Sequence, residues 1–125
     1  MIALLFAASL AQAEPPFSDA QACEVLTRLT TQENSQPSRQ IDAITRSGGS
    51  ILSCQARTLT MNKIASIVRS AGNPDWTDRE QAHWNNFVCN GPGFGVLARH
   101  GWRLSESFLF ADGERVTFEA HCPAS

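Results

Sequence analysis

The sequence predicts one α+β domain in which two antiparallel β-hairpins form a four-stranded sheet, with helices packed on one face and disulfides between the elements. Segments with helical spacing of apolar residues are interleaved with two segments in which apolar and polar residues alternate. Gly-Gly and Asp-Gly, both typical of hairpin loops, lie within the alternating segments. Because each strand pair is joined locally, antiparallel pairing is the natural arrangement.

Residues 1–13 are predicted to be a signal peptide. Residues 2–10 are uncharged and mostly apolar, and Ala11-Gln12-Ala13 is typical of a cleavage site. The apolar run is shorter than the roughly 20 residues that a membrane-spanning helix needs. We therefore expect cleavage after Ala13 and no stable membrane anchor afterwards, the alternative being a buried first helix. Residues 14–125 then have the size of a single domain.

Residues 18–33 are predicted to form the first helix. Ser18 and Gln21 have the spacing of a capping box, in which each side chain bonds an amide left free in the first turn. The apolar residues that recur on one helical face are Ala22, Val25, Leu26 and Leu29.

Residues 40–60 are predicted to form the first hairpin, with its turn at residues 47–50. Gly48 and Gly49 tolerate the positive φ angles of a two-residue turn. A short amphipathic helix is predicted over residues 61–71, before the break at Gly72-Asn73-Pro74. Its apolar residues are Ile64, Ile67, Val68 and Ala71.

A third helix is predicted to begin at a second capping box, formed by Thr77 and Glu80, and to end at residues 90–92. A brief helical turn over residues 94–100 follows. Gly101 then occupies the position of a left-handed cap.

Residues 102–122 are predicted to form the second hairpin. The alternation of apolar and polar side chains predicts which residues face each other across it. A two-residue loop would place Phe108 opposite Thr117, which lies on the polar face. A three-residue loop at residues 111–113, with its glycine in a bulge, places Phe108 opposite Val116 and Trp102 opposite Cys122. We therefore predict the three-residue loop.

Four isolated cysteines predict two structural disulfides. No two of the cysteines are close in sequence, whereas zinc sites and redox dithiols usually contain a close pair. The four are Cys23, Cys54, Cys89 and Cys122. Four cysteines allow three pairings, and the order of the elements favours Cys23–Cys54 and Cys89–Cys122. Because disulfides persist in oxidising compartments, we expect a periplasmic or secreted protein.

Composition argues against several kinds of partner. The net charge is −2 and the charges of both signs are scattered, so neither a nucleic-acid patch nor a polybasic membrane contact is expected. No cofactor is expected either. The glycine-rich residues 90–95 follow a helix rather than a strand, and Pro92 lacks the amide that a phosphate-binding loop would use.

No catalytic or metal site is predicted. Glu80 and His83 form one carboxylate–imidazole pair at helical spacing, whereas the carboxylate-bundle metal motif needs two such pairs and two further Glu. No Gly-x-Ser-x-Gly motif is present. The three Trp and seven Phe are expected to supply the core. The alternative for Trp76, which lies close to Pro74, is an exposed partner surface.

Several short segments, spread over most of the chain, are similar to segments of a known protein family. They are Pro37-x-x-Gln40-Ile41-Asp42-x-x-Thr45, Val88-Cys89-Asn90, the strand after Gly101, Asp112-Gly113 and His121-Cys122. Together they resemble a family of small exported bacterial proteins named for a quorum-sensing-regulated virulence factor. The resemblance implies a compact α/β sandwich without a known catalytic site, and hence no functional residues to transfer. Cys23 and Cys54 depart from the family's pattern.

We therefore expect a non-enzymatic exported protein that binds another protein or an envelope component. One alternative is an immunity or inhibitor protein that neutralises a periplasmic enzyme, which a neighbouring toxin gene would indicate. The other is a small hydrolase or metal-dependent enzyme, which would need Glu80, His83 or His121 to converge in a cleft.

Overall fold

A computed structural model describes residues 16–123 of the chain, and the predicted signal peptide lies outside this range. In chain order the elements are helix α1 (Asp19–Asn34), strands β1 (Thr45–Ser53) and β2 (Thr58–Ala65), a 3₁₀ turn (Arg69–Ala71), helices α2 (Trp76–Cys89) and α3 (Pro92–Arg99), and strands β3 (Arg103–Leu109) and β4 (Arg115–Glu119).

The four strands form one sheet in the order β1-β2-β3-β4, which confirms the predicted fold class. The pairs β1–β2 and β3–β4 are antiparallel hairpins, as expected. The central pair, β2 and β3, is parallel. Parallel neighbours need a long crossover, and α2 and α3 supply it.

The helices cover one face of the sheet, and the core lies between them. Leu59 of β2 pairs with Leu104 of β3 on this face. The indole N–H of Trp84 on α2 donates to the carbonyl of Leu104 at 3.1 Å, which fixes α2 over β3. The buried apolar residues of the described part are Leu26, Leu59, Ala65, Trp84, Val88, Leu97, Trp102, Leu104, Phe108, Phe110 and Phe118.

Helix α1 begins where the sequence predicts and is joined to the edge strand at its end. The Ser18 side chain accepts from the amide of Gln21 at 3.3 Å. At the other end, the Asn34 side chain donates to the carbonyl of Ser50 and accepts from its amide, both at 2.8 Å. This reciprocal pair anchors α1 to β1.

The first hairpin turns later than predicted. Gly48 and Gly49 lie inside β1, where the register shifts between Ser47 and Ser50 and Gly49 has a φ of +86°. The predicted turn at residues 47–50 is therefore wrong, because the glycine pair forms a β-bulge instead. The chain reverses at residues 54–57.

The predicted helix over residues 61–71 is also wrong. Residues 61–65 continue β2, and only Arg69–Ala71 form a 3₁₀ turn. Met61 pairs with Ser50 of β1 on one side and with Glu106 of β3 on the other. Backbone pairing to two neighbouring strands outweighs a weak helical pattern of side chains.

The ends of α2 and α3 differ in detail from the predictions. The second capping box does not form, since α2 begins at Trp76 and the hydroxyl of Thr77 accepts from the Arg69 guanidinium at 2.7 Å. Helix α3 begins at Pro92, in the first turn, where a missing amide costs little. Gly101 has a φ of +89°, as expected for the residue after α3.

The second hairpin has the predicted register. Phe108 pairs with Val116, and the Phe110 amide donates to the carbonyl of Glu114 at 2.8 Å across a three-residue loop. Gly113 in that loop has a φ of +89°. The strand pairing ends at Ser105 and Glu119, before the predicted pair of Trp102 and Cys122.

Two disulfides, Cys23–Cys54 and Cys89–Cys122, join the elements. This is the pairing that the order of the elements favours. The Cα–Cα distances of 5.6 and 5.4 Å lie in the usual range for disulfides. The first bond joins α1 to the turn between β1 and β2, and the second joins the end of α2 to the segment after β4.

Candidate functional site

An apolar groove lies between α1 and the other two helices. Helix α1 packs on β1, whereas α2 and α3 pack on each other and on β4 and β3. The strip between these two groups lies above β2, whose Leu59 and Met61 line the groove.

Two adjoining cavities make up this groove, with volumes of about 700 and 320 Å³. They share Leu26 and Leu29 of α1 and Phe94 of α3, so they form one continuous depression. Both volumes lie within the range of about 300–1,000 Å³ that is usual for small-molecule sites.

The apolar stripe of α1 forms one wall of the groove. Only Leu26 of this stripe is buried, whereas Val25 is 43% exposed and Leu29 is 55% exposed. A surface helix usually directs its apolar stripe toward the core. The stripe of α1 instead faces the groove, which therefore presents a contiguous apolar surface to solvent.

One end of the groove is closed by two stacked rings. The rings of Phe17 and His100 lie parallel, with their centroids 4.0 Å apart. His100 Nδ1 lies 2.9 Å from the carbonyl oxygen of Val96, one turn earlier in α3. Ser18 and Gln21 add the polar groups at this end.

The other end is polar and contains both signs of charge. Glu33 and Arg39 line the smaller cavity there, together with Gln36. Glu33 Oε1 accepts from the hydroxyl of Ser50 at 3.0 Å. The amide of Arg39 donates to Ser47 Oγ and its carbonyl accepts from the Ser47 amide, both at 2.8 Å. The backbone at Arg39 is thereby fixed to β1.

A buried ion pair lies beside the groove, between the sheet and α2. Lys63 Nζ is 2.6 Å from Glu106 Oε1, and the Glu106 side chain has no exposed surface. The same ammonium group lies 5.6 Å from the ring centroid of Trp84 and 5.3 Å from that of Phe108, within cation–π range. Neither charged residue lines the groove.

The pKa of Glu106 is raised to about 8, first by burial and then by the hydrogen bond and charge of Glu80, while Lys63 opposes the rise. Glu106 Oε2 is buried and has no hydrogen-bond partner within residues 16–123. A proton on Glu106 allows the two neighbouring carboxyl groups of Glu106 and Glu80 to share a hydrogen bond, while Glu106 Oε1 still accepts from Lys63. The arrangement therefore favours a neutral carboxyl at this position.

Sequence reasoning missed Glu106, although a signal was present. Leu104, Glu106 and Phe108 share the parity of the inward-facing side of β3. A carboxylate at such a position is buried, and a buried acid needs a partner or a proton. The sequence contains no comparable sign of the groove, because the groove depends on where α1 packs on the sheet.

The predicted candidate residues do not come together. Glu80 lies near Glu106, and His83 is exposed on α2. His121 lies in a different cavity beside the second disulfide, where its amide donates to Asn85 Oδ1 at 2.9 Å. Within residues 16–123 there is no group of three or more His, Cys, Asp or Glu side chains placed to hold a metal ion.

Trp76 is half-buried and belongs to the core that the aromatic residues were expected to supply, so it does not stand exposed as the alternative of a partner surface required. Its ring packs edge-on against Phe108, Phe110 and Phe118, with centroid separations of 5.0, 5.6 and 5.3 Å. The Arg69 guanidinium lies 5.2 Å from its ring centroid. Trp76 thus closes the edge of the core.

The glycine-rich segment lies between two helices, as its position after a helix predicts: residues 90 and 91 connect α2 to α3, and residues 92–95 form the start of α3. A Cβ at Gly91 would lie 2.9 Å from the carbonyl oxygen of Phe87, and one at Gly95 would lie 2.9 Å from that of Cys89. These two glycines therefore allow α3 to approach the end of α2 closely.

Comparisons with known proteins inform the fold alone. No family model matches the chain, and no curated protein matches it. Among solved structures, the chain is similar to a protein from Pseudomonas aeruginosa provisionally described as secreted, with a TM-score of 0.65 and 16% identity. The similarity covers 81% of this chain and 89% of that one. None of the helices in residues 16–123 has the length and hydropathy to cross a membrane.

Proposed function

We propose that this chain is an exported, non-enzymatic binding protein whose groove receives the acyl chain of an envelope amphiphile. The observation that carries the proposal is the orientation of the α1 stripe. Val25 and Leu29 face an open cavity of about 700 Å³ instead of another element of the chain. Apolar surface of this kind marks a ligand or partner site.

Three features support export to the periplasm or the medium. Residues 1–13 have the pattern of a signal peptide. Both disulfides join distant parts of a small domain, which is typical of oxidising compartments. The similar fold in Pseudomonas aeruginosa belongs to a protein that is provisionally described as secreted.

The chemistry of the groove suits binding better than catalysis. Its polar groups are confined to the two ends, and the wall between them consists of aliphatic and aromatic side chains. Acid–base or nucleophilic catalysis needs two reactive groups within hydrogen-bond reach of one substrate. His100 lies at the end opposite to Glu33 and Arg39, so these groups do not converge.

A neutral fluorescent probe, N-phenylnaphthylamine, tests the proposal with the oxidised, exported protein. We expect saturable binding of about one probe per chain and displacement by hexadecanol. Leu29→Asp should weaken binding about tenfold or more, because it places a charge in the apolar wall. The matched control is Ile51→Asp, since Ile51 is 64% exposed but lies outside the groove.

The Ile51 variant should bind within about twofold of the wild type. Circular dichroism verifies that both variants stay folded. Absence of saturable binding, or an equal loss in the two variants, would contradict the proposal.

A further inference from the structure

We infer that the amphiphile is anionic, with its head group at Arg39 and its acyl chain extending along α1 toward His100. This inference rests on the proposed function of the groove. It assigns a direction and a head-group charge to the ligand.

Arg39 presents an exposed cation at the polar end of the groove. Both of its backbone hydrogen bonds go to Ser47 of β1, so the start of its side chain is held in place. Its guanidinium makes no ion pair and no side-chain hydrogen bond with any residue of the range 16–123. A guanidinium offers planar, charge-assisted hydrogen bonds that suit a carboxylate or phosphate.

Glu33 is the acidic residue that lines the same cavity. One of its carboxylate oxygens accepts from Ser50, and the carboxylate lies more than the 4.0 Å of an ion pair from Arg39. The nearby amide side chains of Gln32 and Gln36 are neutral hydrogen-bond donors. The cation therefore remains available to a ligand, although Glu33 weakens the local positive potential.

The opposite end lacks a comparable cation. The larger cavity is lined mainly by apolar residues and ends at Phe17 and His100. From Glu33 to Ala22 the α1 wall extends for about 17 Å at about 1.5 Å per residue. One leaflet of a bilayer has an apolar thickness of about 15 Å, so a single membrane-lipid acyl chain matches the groove in length.

Three ligands with the same chain test the head group: hexadecanoate, neutral hexadecanol and cationic hexadecyltrimethylammonium, each below its critical micelle concentration. Displacement of N-phenylnaphthylamine measures each affinity. We expect hexadecanoate to bind about tenfold tighter than hexadecanol, the effect of one charge-assisted hydrogen bond. The cationic ligand should bind weakest, and added salt should reduce the preference for the anion.

Arg39→Gln should abolish the preference for hexadecanoate and leave hexadecanol unchanged. The control is Arg46→Gln, because Arg46 lies on β1 but does not line the groove. Glu33→Gln should strengthen hexadecanoate binding.

Equal binding of the anionic and neutral ligands, or a preference that survives in Arg39→Gln, would overturn the head-group assignment and leave the proposed groove intact. If none of the three ligands binds, the proposed function itself is wrong and this inference fails with it. A groove that accepts only a segment of a partner protein would give the same result, because none of the three ligands would bind.

Discussion

Lys63 Nζ lies 2.6 Å from Glu106 Oε1, on neighbouring parallel strands and beneath the ring of Trp84. The contact places an ammonium group and a carboxyl group on the face of the sheet that the helices cover. Burial of an ion pair removes hydration that mutual attraction only partly restores. A proton on Glu106 relieves that penalty, which makes the stability of the fold sensitive to pH.

Stability should fall as pH rises from about 4.5 to about 8. The pKa of Glu106 is about 8 in the folded protein and near 4.5 when unfolded, so the folded state holds the extra proton across this window. The free energy of unfolding then decreases with pH, since the unfolded state binds fewer protons. Glu106→Gln should flatten the profile.

Thermal unfolding followed by circular dichroism between pH 5 and pH 9 measures the effect, which should amount to several degrees in Tm. The ionisation of Glu119 does not contribute to this change in Tm. Its hydrogen bond to Arg103 lowers its pKa, so it titrates below this window. A wild-type Tm that rises across the window, or an unchanged slope in Glu106→Gln, would contradict the prediction.

Lys63→Met should destabilise the protein more at high pH than at low pH. Without the ammonium group, an ionised Glu106 is buried with no cation, and breaking a buried pair in this way costs about 3 kcal/mol. At pH 6 a neutral Glu106 avoids most of that cost. Urea unfolding at pH 6 and pH 9 measures the difference, and an equal loss at both values would show that the proton is not involved.

Short sequence patterns correctly predicted the features that depend on neighbouring residues, such as a hairpin register and a helix start. The parity of Phe108 and Val116 specified the register of the second hairpin, because one-residue slips move apolar side chains to the polar face. Ser18 marked the start of α1 through its capping bond. The spacing of the four cysteines excluded close-pair chemistry, and the order of the elements favoured the observed disulfides.

Other features depend on contacts between distant segments. A Gly48-Gly49 pair fits a bulge as well as a turn, and only the pairing of β1 with β2 distinguishes them. Residues 61–65 carry a helical pattern, but two neighbouring strands hold them extended. The groove arises because α1 packs on β1 while α3 packs on β3, a placement that side-chain periodicity does not encode.

Two glycines offer a test of backbone strain. Gly101 and Gly113 both have a φ of +89°, where an L side chain is strained. A Cβ at Gly113 would meet no heavy atom within 4 Å, whereas one at Gly101 would lie 3.3 Å from the Arg57 guanidinium. Because that guanidinium is the far end of a flexible side chain, both alanine variants should lose about 1–2 kcal/mol from strain alone.

Chemical denaturation of Gly101→Ala and Gly113→Ala measures the two losses. A loss at Gly101 that exceeds the loss at Gly113 by several-fold would show that Arg57 cannot move aside. The double variant Gly101→Ala with Arg57→Ala would then recover the excess.

Removing either disulfide should cost a similar amount of stability, but only the removal of Cys23–Cys54 should weaken ligand binding. Cys23–Cys54 holds the α1 wall of the groove, whereas Cys89–Cys122 lies beside a different cavity. Each closes a loop of just over thirty residues, with separations of 31 and 33, so each should contribute about 3–4 kcal/mol on the chain-entropy model. The double serine variants at Cys23/Cys54 and at Cys89/Cys122 should therefore lose similar stability.

Their binding of N-phenylnaphthylamine should differ. Without Cys23–Cys54, only non-covalent contacts hold the start of α1. They include the hydrogen bond from the indole N–H of Trp102 to Asp19 Oδ1 at 2.9 Å and the stacking of Phe17 on His100. The wall should therefore loosen, and the affinity should fall several-fold. The Cys89/Cys122 variant should bind like the wild type at temperatures where it stays folded. Titration with a thiol reagent first verifies the starting protein, which should release no free thiol, native or denatured. Equal losses of affinity in the two folded variants would show that the groove does not depend on the tether of α1.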